Sequence, residues 1–533
     1  MEITRRTVLS GGAAAGALTV LAAPGSATGA PGTRPLARSA SPRVSPFELG
    51  VASGDPLPDS VVLWTRLAVD PTAEDGLGGM ARRPYAVRWE IARDPQMRRV
   101  VERGVVEARA ESGYAVHVEP RGLQAGREYW YRFRVGGHLS PVGRTMTAPA
   151  RHEMPAVLAM SFASCSQYEH GYFTAYRRLA QDQPDLVLHL GDYQYEYTKQ
   201  SYVSPTGNVR DHDGPETVDL ASYRQRHAQY KSDPDLQLAH ATAPWLVVWD
   251  DHEVDNNWAD DVPENSDAAQ WNDTTAHFVR RRAQAFQAYY ENMPLRRASV
   301  PRGADMKIYR RLHWGRLATF HMMDTRQYRD DQACGDGWTT DCDERLDETR
   351  SLPGMAQERW LLDGFERSRA RWDVLGQQVF FAEQDALAGP SYRTSMDGWD
   401  GYVPSRRRIT QGWVDAGVRN PVVLTGDVHK HWANDLRLDY QDTDSPVVGS
   451  ELVCSSITST GNGSPTWQSP NMALNPHLRF SADQRGYVRT AITKEKMSVD
   501  YRSLPSVTTT DAAAYTQASF ELHDGQRGLQ RTR

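Results

Sequence analysis

The segment Leu186–Glu196, which reads LVLHLGDYQYE, decides the fold class of this chain. It begins as an apolar run of the kind found in a strand buried within a parallel sheet. Gly191 ends the run, and Asp192 and Tyr195 follow it directly. In open α/β sheets, ligands bind just beyond the carboxyl ends of the strands. A carboxylate and a phenol oxygen at that edge are two hard ligands for one cation, so the segment predicts a metal site.

The rest of the chain after Arg151 continues this pattern, because apolar strand candidates alternate with helix candidates. The predicted strands are Ala156–Ala163, Leu186–Leu190, Trp245–Trp249, Leu317–Met323, Trp372–Phe381 and Pro421–Leu424, and the predicted helices are Phe173–Ala180 and Asp273–Tyr290. Such alternation is typical of a layered α/β domain. The Ser459–Pro476 segment, rich in Gly, Ser, Asn and Pro, is predicted to be a long loop, and long loops in compact domains are often functional.

Residues 45–150 show a different pattern of short alternating segments separated by Pro, Gly and Asp turns. The predicted strands here are Ser60–Leu67, Tyr85–Ala92, Tyr114–Pro120 and Tyr129–Gly136. About 100 residues with this spacing predict a small β-sandwich of the fibronectin type III kind. We find no cluster of catalytic residue types in it.

The N-terminal residues have the pattern of an export signal. Arg5 and Arg6 precede a Gly, Ala, Leu and Val run that ends at Ala23, which is typical of a twin-arginine signal peptide. We therefore expect a signal peptide over residues 1–30, a linker over residues 31–44 and a secreted protein. The alternative is a cytosolic chain with a hydrophobic end.

The composition of the 533-residue chain excludes several classes of protein. Its length predicts two or three domains. Its net charge of −6 argues against binding to nucleic acid or to anionic membranes, because such proteins are usually basic. The body of the chain has no apolar run long enough to span a membrane, so no stable membrane insertion is expected.

The cysteines do not indicate a disulfide scaffold, because four are few for a secreted protein of this size. Cys334 and Cys342 flank a loop rich in Gly, Asp and Thr, and we expect them to pair. Cys165 and Cys454 then stay free or pair with each other. Taken alone, Cys165 is a small buried apolar residue at the end of a strand.

The ends of the predicted strands carry a recurring set of polar side chains. They are Cys165, then Asp192 and Tyr195, then Asp250, Asp251, His252 and Glu253, then Asp324 and Arg326, and finally Asp427 and His429. Because each group follows an apolar strand, we expect them to converge on one edge of the sheet. Buried carboxylates are costly unless cations neutralise them. Carboxylates favour hard ions such as Ca²⁺, Mg²⁺ or Mn²⁺, whereas tyrosinate, thiolate and imidazole together favour Fe³⁺.

These groups, in this order, resemble the successive motifs of the metallophosphoesterase superfamily, and more specifically the PhoD-type alkaline phosphatases. The resemblance rests on Cys165, Gly191-Asp192-x-x-Tyr195, Asp250-Asp251-His252-Glu253, Asp324-x-Arg326 and Gly426-Asp427-Val428-His429. It implies an α/β fold, a four-layer α/β/β/α sandwich over residues 151–505 that is preceded by the fibronectin-III-like β-sandwich. Residues 506–533 would form a C-terminal segment that is a candidate lid.

The same resemblance implies a set of metal ligands. Cys165, Asp192, Tyr195 and His429 would hold one Fe³⁺, and Asp192, Asp251 and Asp427 would hold one or two Ca²⁺, with Asp192 bridging. Taken alone, Cys165 is interpreted as a small buried apolar residue; the resemblance instead implies that it is a thiolate ligand. The superfamily also has a lone histidine between the third and last motifs, and Gln377 is the nearest equivalent in this chain.

Three further residues are candidates for catalysis. His252 is expected over the leaving group as a general acid or oxyanion donor, with a structural hydrogen bond to Asp192 or Asp251 as the alternative. Arg326 is expected to clamp phosphate oxygens as a fork, with a surface ion pair as the alternative. Asn257 is a weaker candidate for a substrate contact.

The function that we expect is a secreted, monomeric, metal-dependent phosphoesterase. It would hydrolyse small phosphate mono- and diesters by attack of a metal-activated hydroxide on phosphorus. One alternative is a phospholipase D that releases head-group alcohols from phospholipids at the same metal site. An alternative of another class is a non-catalytic calcium-binding surface protein.

Overall fold

The computed structural model describes residues 42–263, 274–442 and 444–533. The predicted signal peptide and nearly all of the predicted linker lie outside the described residues, as does Asp273 at the start of a predicted helix. Within these ranges, no helix combines the length and the apolar character that a membrane crossing requires.

The described N-terminal residues form a β-sandwich from eight strands. These strands are β1 (Val51–Leu57), β2 (Ser60–Arg66), β3 (Tyr85–Ala92), β4 (Val100–Ala108), β5 (Ala115–Val118), β6 (Glu128–Val135), β7 (His138–Leu139) and β8 (Gly143–Met146). One layer has the order β4-β3-β6-β7, with β8 also paired to β6, and the other is β1-β2-β5. Alternate side chains such as Leu63 and Phe133 meet in the core between the layers. The structure thus agrees with the predicted N-terminal sandwich.

The sandwich is not a separate body, because β1 also pairs with a strand of the α/β region. Ser53 lies opposite Pro244 in a parallel pairing. The layer β1-β2-β5 is therefore the end of a longer sheet. The predicted division at residue 150 separates two sequence patterns, but hydrogen bonds cross it.

The remaining elements follow in chain order. They are β9 (Leu158–Ala163), α1 (Thr174–Gln181), β10 (Leu186–Leu190), α2 (Leu220–Lys231), α3 (Pro234–Thr242), β11 (Pro244–Val248), α4 (Thr275–Asn292), β12 (Arg310–Trp314), β13 (Ala318–Met322), β14 (Trp338–Thr340), α5 (Met355–Arg367), β15 (Trp372–Gly376), β16 (Arg393–Ser395), α6 (Val403–Asp415), β17 (Pro421–Thr425), β18 (His431–Arg437), β19 (Val447–Val453), β20 (Leu478–Ala482), β21 (Gly486–Ile492), β22 (Lys496–Ser503), β23 (Tyr515–His523) and β24 (Gln530–Arg531).

Two large sheets organise these elements in the described part of the chain. One has ten strands in the order β24-β23-β22-β21-β9-β10-β11-β1-β2-β5, and the other has seven in the order β12-β13-β15-β17-β19-β18-β20. A short hairpin pairs β14 with β16.

The two sheets pack face to face with helices outside, which confirms the four-layer α/β/β/α sandwich. Alternation along the strands shows the layers, because Val374 packs in the core between the sheets. Its neighbour Leu375 packs with Phe365 of α5 and Trp413 of α6 on the opposite face. Helices α1 to α4 cover the ten-stranded sheet and share its core.

Residues 515–533 of the C-terminal segment do not match the candidate lid. Strand β23 pairs with β22 along its length, from Lys496 opposite His523 to Ser503 opposite Tyr515. Strand β24 then closes the edge of the same sheet. Because its backbone hydrogen bonds are used in the sheet, residues 515–533 belong to the scaffold.

Candidate metal centre

The two loops that follow β9 and β10 are hydrogen-bonded to each other as they leave the sheet. The backbone N–H of Cys165 donates to the carbonyl of Gly191 (3.1 Å), and that of Ser166 donates to the carbonyl of Asp192 (2.9 Å). The parallel pairing of β9 with β10 therefore continues into the side chains that sequence analysis selected.

Gly191 lets the ends of β10 and β11 approach each other closely. Its φ is +105°, and a Cβ at this position would lie 2.5 Å from the Cβ of Asp250 and 2.6 Å from its backbone nitrogen. Any other residue would push the two strand ends apart, since real Cβ atoms do not make such contacts.

Four of the six predicted ligands have left-handed backbone conformations. The φ angles are 61° for Cys165, 53° for Asp192, 61° for Asp427 and 52° for His429. Such conformations cost on the order of 1–3 kcal/mol for residues with a side chain, and they cluster at functional sites. Three of the four side chains, those of Cys165, Asp192 and His429, bring their donor atoms together.

The predicted iron ligands lie together. The donor atoms of Cys165, Asp192 and His429 are all within 4.8 Å of one another. The hydroxyl of Tyr195 donates to Oδ2 of Asp192 (3.0 Å) and lies 3.1 Å from Nε2 of His429. One thiol, one carboxylate, one phenol and one imidazole thus surround a common point.

A second group shares Asp192 with the first. Asp192, Asp251 and His252 have donor atoms within 4.8 Å of one another. Asp427 is outside both groups at that distance, but its half-buried side chain lies near the same acids. Burial, and after it the charges of Asp250 and other nearby carboxylates, raises the pKa of Asp427 well above its ordinary value.

The chemistry of these donor groups fits a site that holds cations better than a site without metal. Oδ1 of Asp192, Oδ2 of Asp250 and Oδ1 of Asp251 are buried without a hydrogen-bond partner. Burial, followed by the charge of Asp251, raises the pKa of Asp192 well above its usual value. Burial lowers the pKa of His429, which keeps the imidazole neutral as metal binding requires. Cations at this place would satisfy the free oxygens and offset the repulsion between the acids.

Glu253 supports the strand ends without facing the donor atoms. Its carboxylate accepts hydrogen bonds from the backbone nitrogens of Asp192 (3.1 Å), Tyr193 (2.7 Å) and Asp250 (2.9 Å). The sequence motif contained this residue, but no role followed from the motif. Its role is to join the loops after β10 and β11.

His252 is oriented by a carboxylate that sequence analysis did not assign. Its Nδ1 is 2.8 Å from Oε2 of Glu196, and its Nε2 faces Oδ2 of Asp251 at 3.9 Å. Burial alone lowers the pKa of His252, but Glu196 and then Asp251 raise it, so that the net pKa lies well above its ordinary value. Glu196 is the last residue of the Leu186–Glu196 segment, and its place one residue after Tyr195 was the available signal.

Arg326 does not match the expected phosphate clamp. Its side chain is fully buried, and its Nη atoms donate to both carboxylate oxygens of Asp397 (2.8 and 3.0 Å). Its Nε donates to Asp250 (2.6 Å), and it lies 3.7 Å from Asp251. Because carboxylates already occupy the guanidinium, we correct the expectation: Arg326 holds acidic side chains behind the centre. The alternative of a surface pair does not apply either.

Asn257 and Gln377 have different surroundings. The backbone N–H of Asn257 donates to Oδ2 of Asp251 (2.8 Å), its side chain donates to Asp336, and it lines the adjacent cavity. The amide of Gln377 instead bonds Thr425 and Trp399 in the core. Gln377 is thus not placed as a ligand.

The Ser459–Pro476 segment contributes to the centre. Oγ of Ser459 donates to the hydroxyl of Tyr195 (2.7 Å), and Oγ1 of Thr460 is 2.8 Å from Nδ1 of His429. Arg485, which sequence analysis missed, donates to the carbonyls of His429 (2.6 Å) and Ser459 (2.9 Å). The long loop is therefore tied to two predicted iron ligands.

A cavity of about 500 Å³ opens beside the centre and is lined by Asn257 and Asp427. Cys334 and Cys342 form the expected disulfide, and the loop that it closes provides one wall. Cys165 and Cys454 are free and buried.

Comparisons with known proteins identify the family and the fold of this chain. A family model described as PhoD-like phosphatase matches residues 158–501, and one described as its N-terminal domain matches residues 33–149. Alkaline phosphatase D of Bacillus subtilis (strain 168) is 49% identical over 488 residues, which cover 91% of this chain and 82% of that protein. A solved structure of PhoD has a TM-score of 0.89 at 48% identity and covers 93% of this chain and 94% of that one.

Proposed function

The chain belongs to the PhoD-like phosphatase family, and from this premise we propose that it is a metal-dependent hydrolase of phosphate mono- and diesters. Membership of the family makes it a phosphoester hydrolase and sets aside the non-catalytic calcium-binding alternative. The observation that carries the metal dependence is the set of buried carboxylate oxygens without partners around Asp192.

We assign the ligands as the resemblance implies. Cys165, Asp192, Tyr195 and His429 would hold Fe³⁺, and Asp192, Asp251 and Asp427 would hold Ca²⁺. When bound, such ions lower the pKa of water and neutralise the charge of a phosphoryl group. The identity and number of the ions are part of the proposal.

The chain's own side chains would handle the proton and the substrate. Glu196 keeps His252 protonated at Nδ1 and favours its charged form, so that Nε2 is able to give a proton to the departing alcohol oxygen. Asn257, at the boundary between the centre and the cavity, would contact the ester. Arg326 and Glu253 would keep the acids in place.

We also propose that the protein is exported by the twin-arginine pathway and acts as a monomer outside the cell. The support for export is the Arg5-Arg6 pair before an apolar run. A Ca²⁺ site of millimolar-range affinity is typical of extracellular proteins.

The proposed function is tested with the purified full chain, its metal content measured by elemental analysis. We expect iron and calcium, and hydrolysis of 4-nitrophenyl phosphate and bis(4-nitrophenyl) phosphate that is lost on chelation and restored by added metal. Asp192→Asn should lower kcat by at least about 100-fold, since it removes the shared ligand. Circular dichroism shows whether that variant is folded.

Two results would change this conclusion. Full activity after complete removal of metal would contradict a metal-dependent mechanism. Faster release of choline from phosphatidylcholine vesicles than hydrolysis of the small diester would favour the phospholipase D alternative.

A further inference from the structure

The cavity beside the metal centre has the size of a small-molecule site. Its volume of about 500 Å³ is well within the usual range for such sites. Its walls come from the disulfide loop with Trp338, from the residues after β17 with Asp427 and Lys430, and from the long loop with Trp467. Because Asp427, a predicted Ca²⁺ ligand, also lines the cavity, a substrate bound at the centre would extend into it.

Two of the acidic groups that line the cavity are already neutralised by arginines. Asp397 accepts two hydrogen bonds from Arg326 and one from Arg329 (3.1 Å). Asp400 pairs with Arg406 at 2.6 Å. These acids therefore need no ligand to balance their charges.

Lys430 differs from these groups. It is the only cationic side chain among the described residues that line the cavity. It is half-buried, and in the described part of the chain its ammonium makes no hydrogen bond and no ion pair within 4.0 Å. Its Nζ instead lies 5.2 Å from the centre of the Trp467 ring. The charge of Asp483 acts on this ammonium, but Asp483 forms no ion pair with it within 4.0 Å. The three N–H donors of the ammonium are therefore open to a bound anion.

The Nζ atom of Lys430 faces the aromatic wall of the cavity and makes no ion pair with the predicted ligand carboxylates of the described residues. Although Asp427 is only three residues away, the ammonium is not within 4.0 Å of it or of any other predicted ligand carboxylate among the described residues. The side chain is directed to the aromatic wall of Trp467, which itself packs edge-on against Trp432 (6.3 Å between ring centres). A group that meets Lys430 there belongs to the alcohol part of the substrate.

We propose that Lys430, supported by Trp467, binds an anionic group on one alcohol arm of a phosphodiester. The preferred substrates are then diesters whose arm carries a second negative charge, such as a carboxylate or another phosphate. This inference rests on the proposed function and names the substrate class of the same site. Trp338, 43% exposed, supplies a flat surface for the arm within the same cavity.

The test compares two symmetric diaryl phosphates, bis(3-carboxyphenyl) phosphate and its uncharged analogue bis(3-carbamoylphenyl) phosphate. Because both arms are identical, whichever arm enters the cavity carries the group. We expect Lys430→Met, which keeps an apolar stem over Trp467, to lower the ratio of kcat/KM for the carboxylate to that for the amide by about tenfold. The matched control is Lys494→Met, because Lys494 is 61% exposed and does not line the cavity; it should leave the ratio unchanged.

A second measurement does not depend on folding of a variant. For the wild-type protein, the same ratio should fall as salt is added, because salt screens a half-exposed charge pair. An unchanged ratio in Lys430→Met would overturn the inference. If kcat/KM falls equally for both compounds, the ratio is unchanged and Lys430 acts on the reacting phosphate instead. If the wild type hydrolyses neither compound nor 4-nitrophenyl phosphate, the proposed function fails; if it hydrolyses both diaryl compounds without a salt-dependent preference, only this inference fails.

Discussion

Single residues set the chemistry of the centre through their immediate partners. Glu196 is nearly fully buried, and it accepts hydrogen bonds from His252 (2.8 Å) and from the backbone of Asn256 (3.0 Å). It thus fixes the ring of His252 and favours its protonated form. The partners of Arg326 have the opposite effect: Asp250 and Asp397 occupy its guanidinium, so it cannot clamp phosphate oxygens as its motif suggested.

We predict that Glu196→Gln lowers kcat about 10- to 100-fold with little change in KM, because a positioned acid–base group contributes about that much or more. The carboxylate raises the pKa of His252. Its loss therefore lowers that pKa, and the decline of kcat at alkaline pH should begin at a lower pH. Rates measured across pH check both effects.

The matched control for this prediction is Glu90→Gln, which breaks a pair with Arg132 in the N-terminal sandwich. It should leave kcat and the pH profile unchanged. If Glu196→Gln lowers kcat without moving the alkaline limb, Glu196 has only a structural role.

At the scale of elements, loops decide the shape of the site. The β14–β16 hairpin and the disulfide between Cys334 and Cys342 hold the loop that carries Asp336 and Trp338 to the cavity. The backbone N–H of Met396, directly after β16, also donates to the carbonyl of Gly337 (2.8 Å), which ties the loop to the end of β16.

We predict that the double variant Cys334→Ser, Cys342→Ser raises KM for bis(4-nitrophenyl) phosphate several-fold and changes KM for 4-nitrophenyl phosphate less. A disulfide that closes a loop of this length lowers the conformational entropy of the unfolded chain and so stabilises the folded loop by about 2.5 kcal/mol. Without the bond, the wall of the cavity becomes less ordered. Steady-state kinetics of the two substrates check this. A similar effect from mild reduction of the wild type serves as the control, and an equal rise of both KM values would contradict the assignment of this wall to the second ester arm.

At the scale of the whole molecule, the two sequence patterns share one structure. Beyond the pairing of β1 with β11, Nε1 of Trp64 on β2 donates to the carbonyl of Glu291 in α4 (2.9 Å). The buried Arg66 donates to the side chain of Asn292 (3.0 Å). Both contacts join residues more than 200 positions apart in the sequence.

We therefore predict that the purified chain unfolds in a single calorimetric transition at fixed metal concentration, because neither part keeps its sheet intact without the other. A chain that begins at residue 151 should fail to fold, since β11 would have an open edge. The full chain without residues 1–41 is the control. Two separated transitions would show that the sandwich folds as an independent domain.

Much of the architecture was predictable because local patterns carry it. Strands β9, β10, β11 and β17 are mostly apolar runs, and each ends at a polar motif, so both the strands and the order of the ligands could be read from the chain. Strand β22 was missed, although Lys496–Ser503 alternates half-buried and buried residues in the way that marks a strand with one face in the core.

The sequence alone determined the fold class, the N-terminal sandwich and the identity of the residues that gather around Asp192, because hydrophobic periodicity and motif order are local properties of the chain. Only the tertiary structure decided that Arg326 faces Asp250 and Asp397, that Glu196 orients His252, that the last strands close the sheet, and that Lys430 faces a cavity. The physical reason is that a side chain's partners come from segments far away in sequence, and the pairing of those segments depends on the packing of the whole molecule.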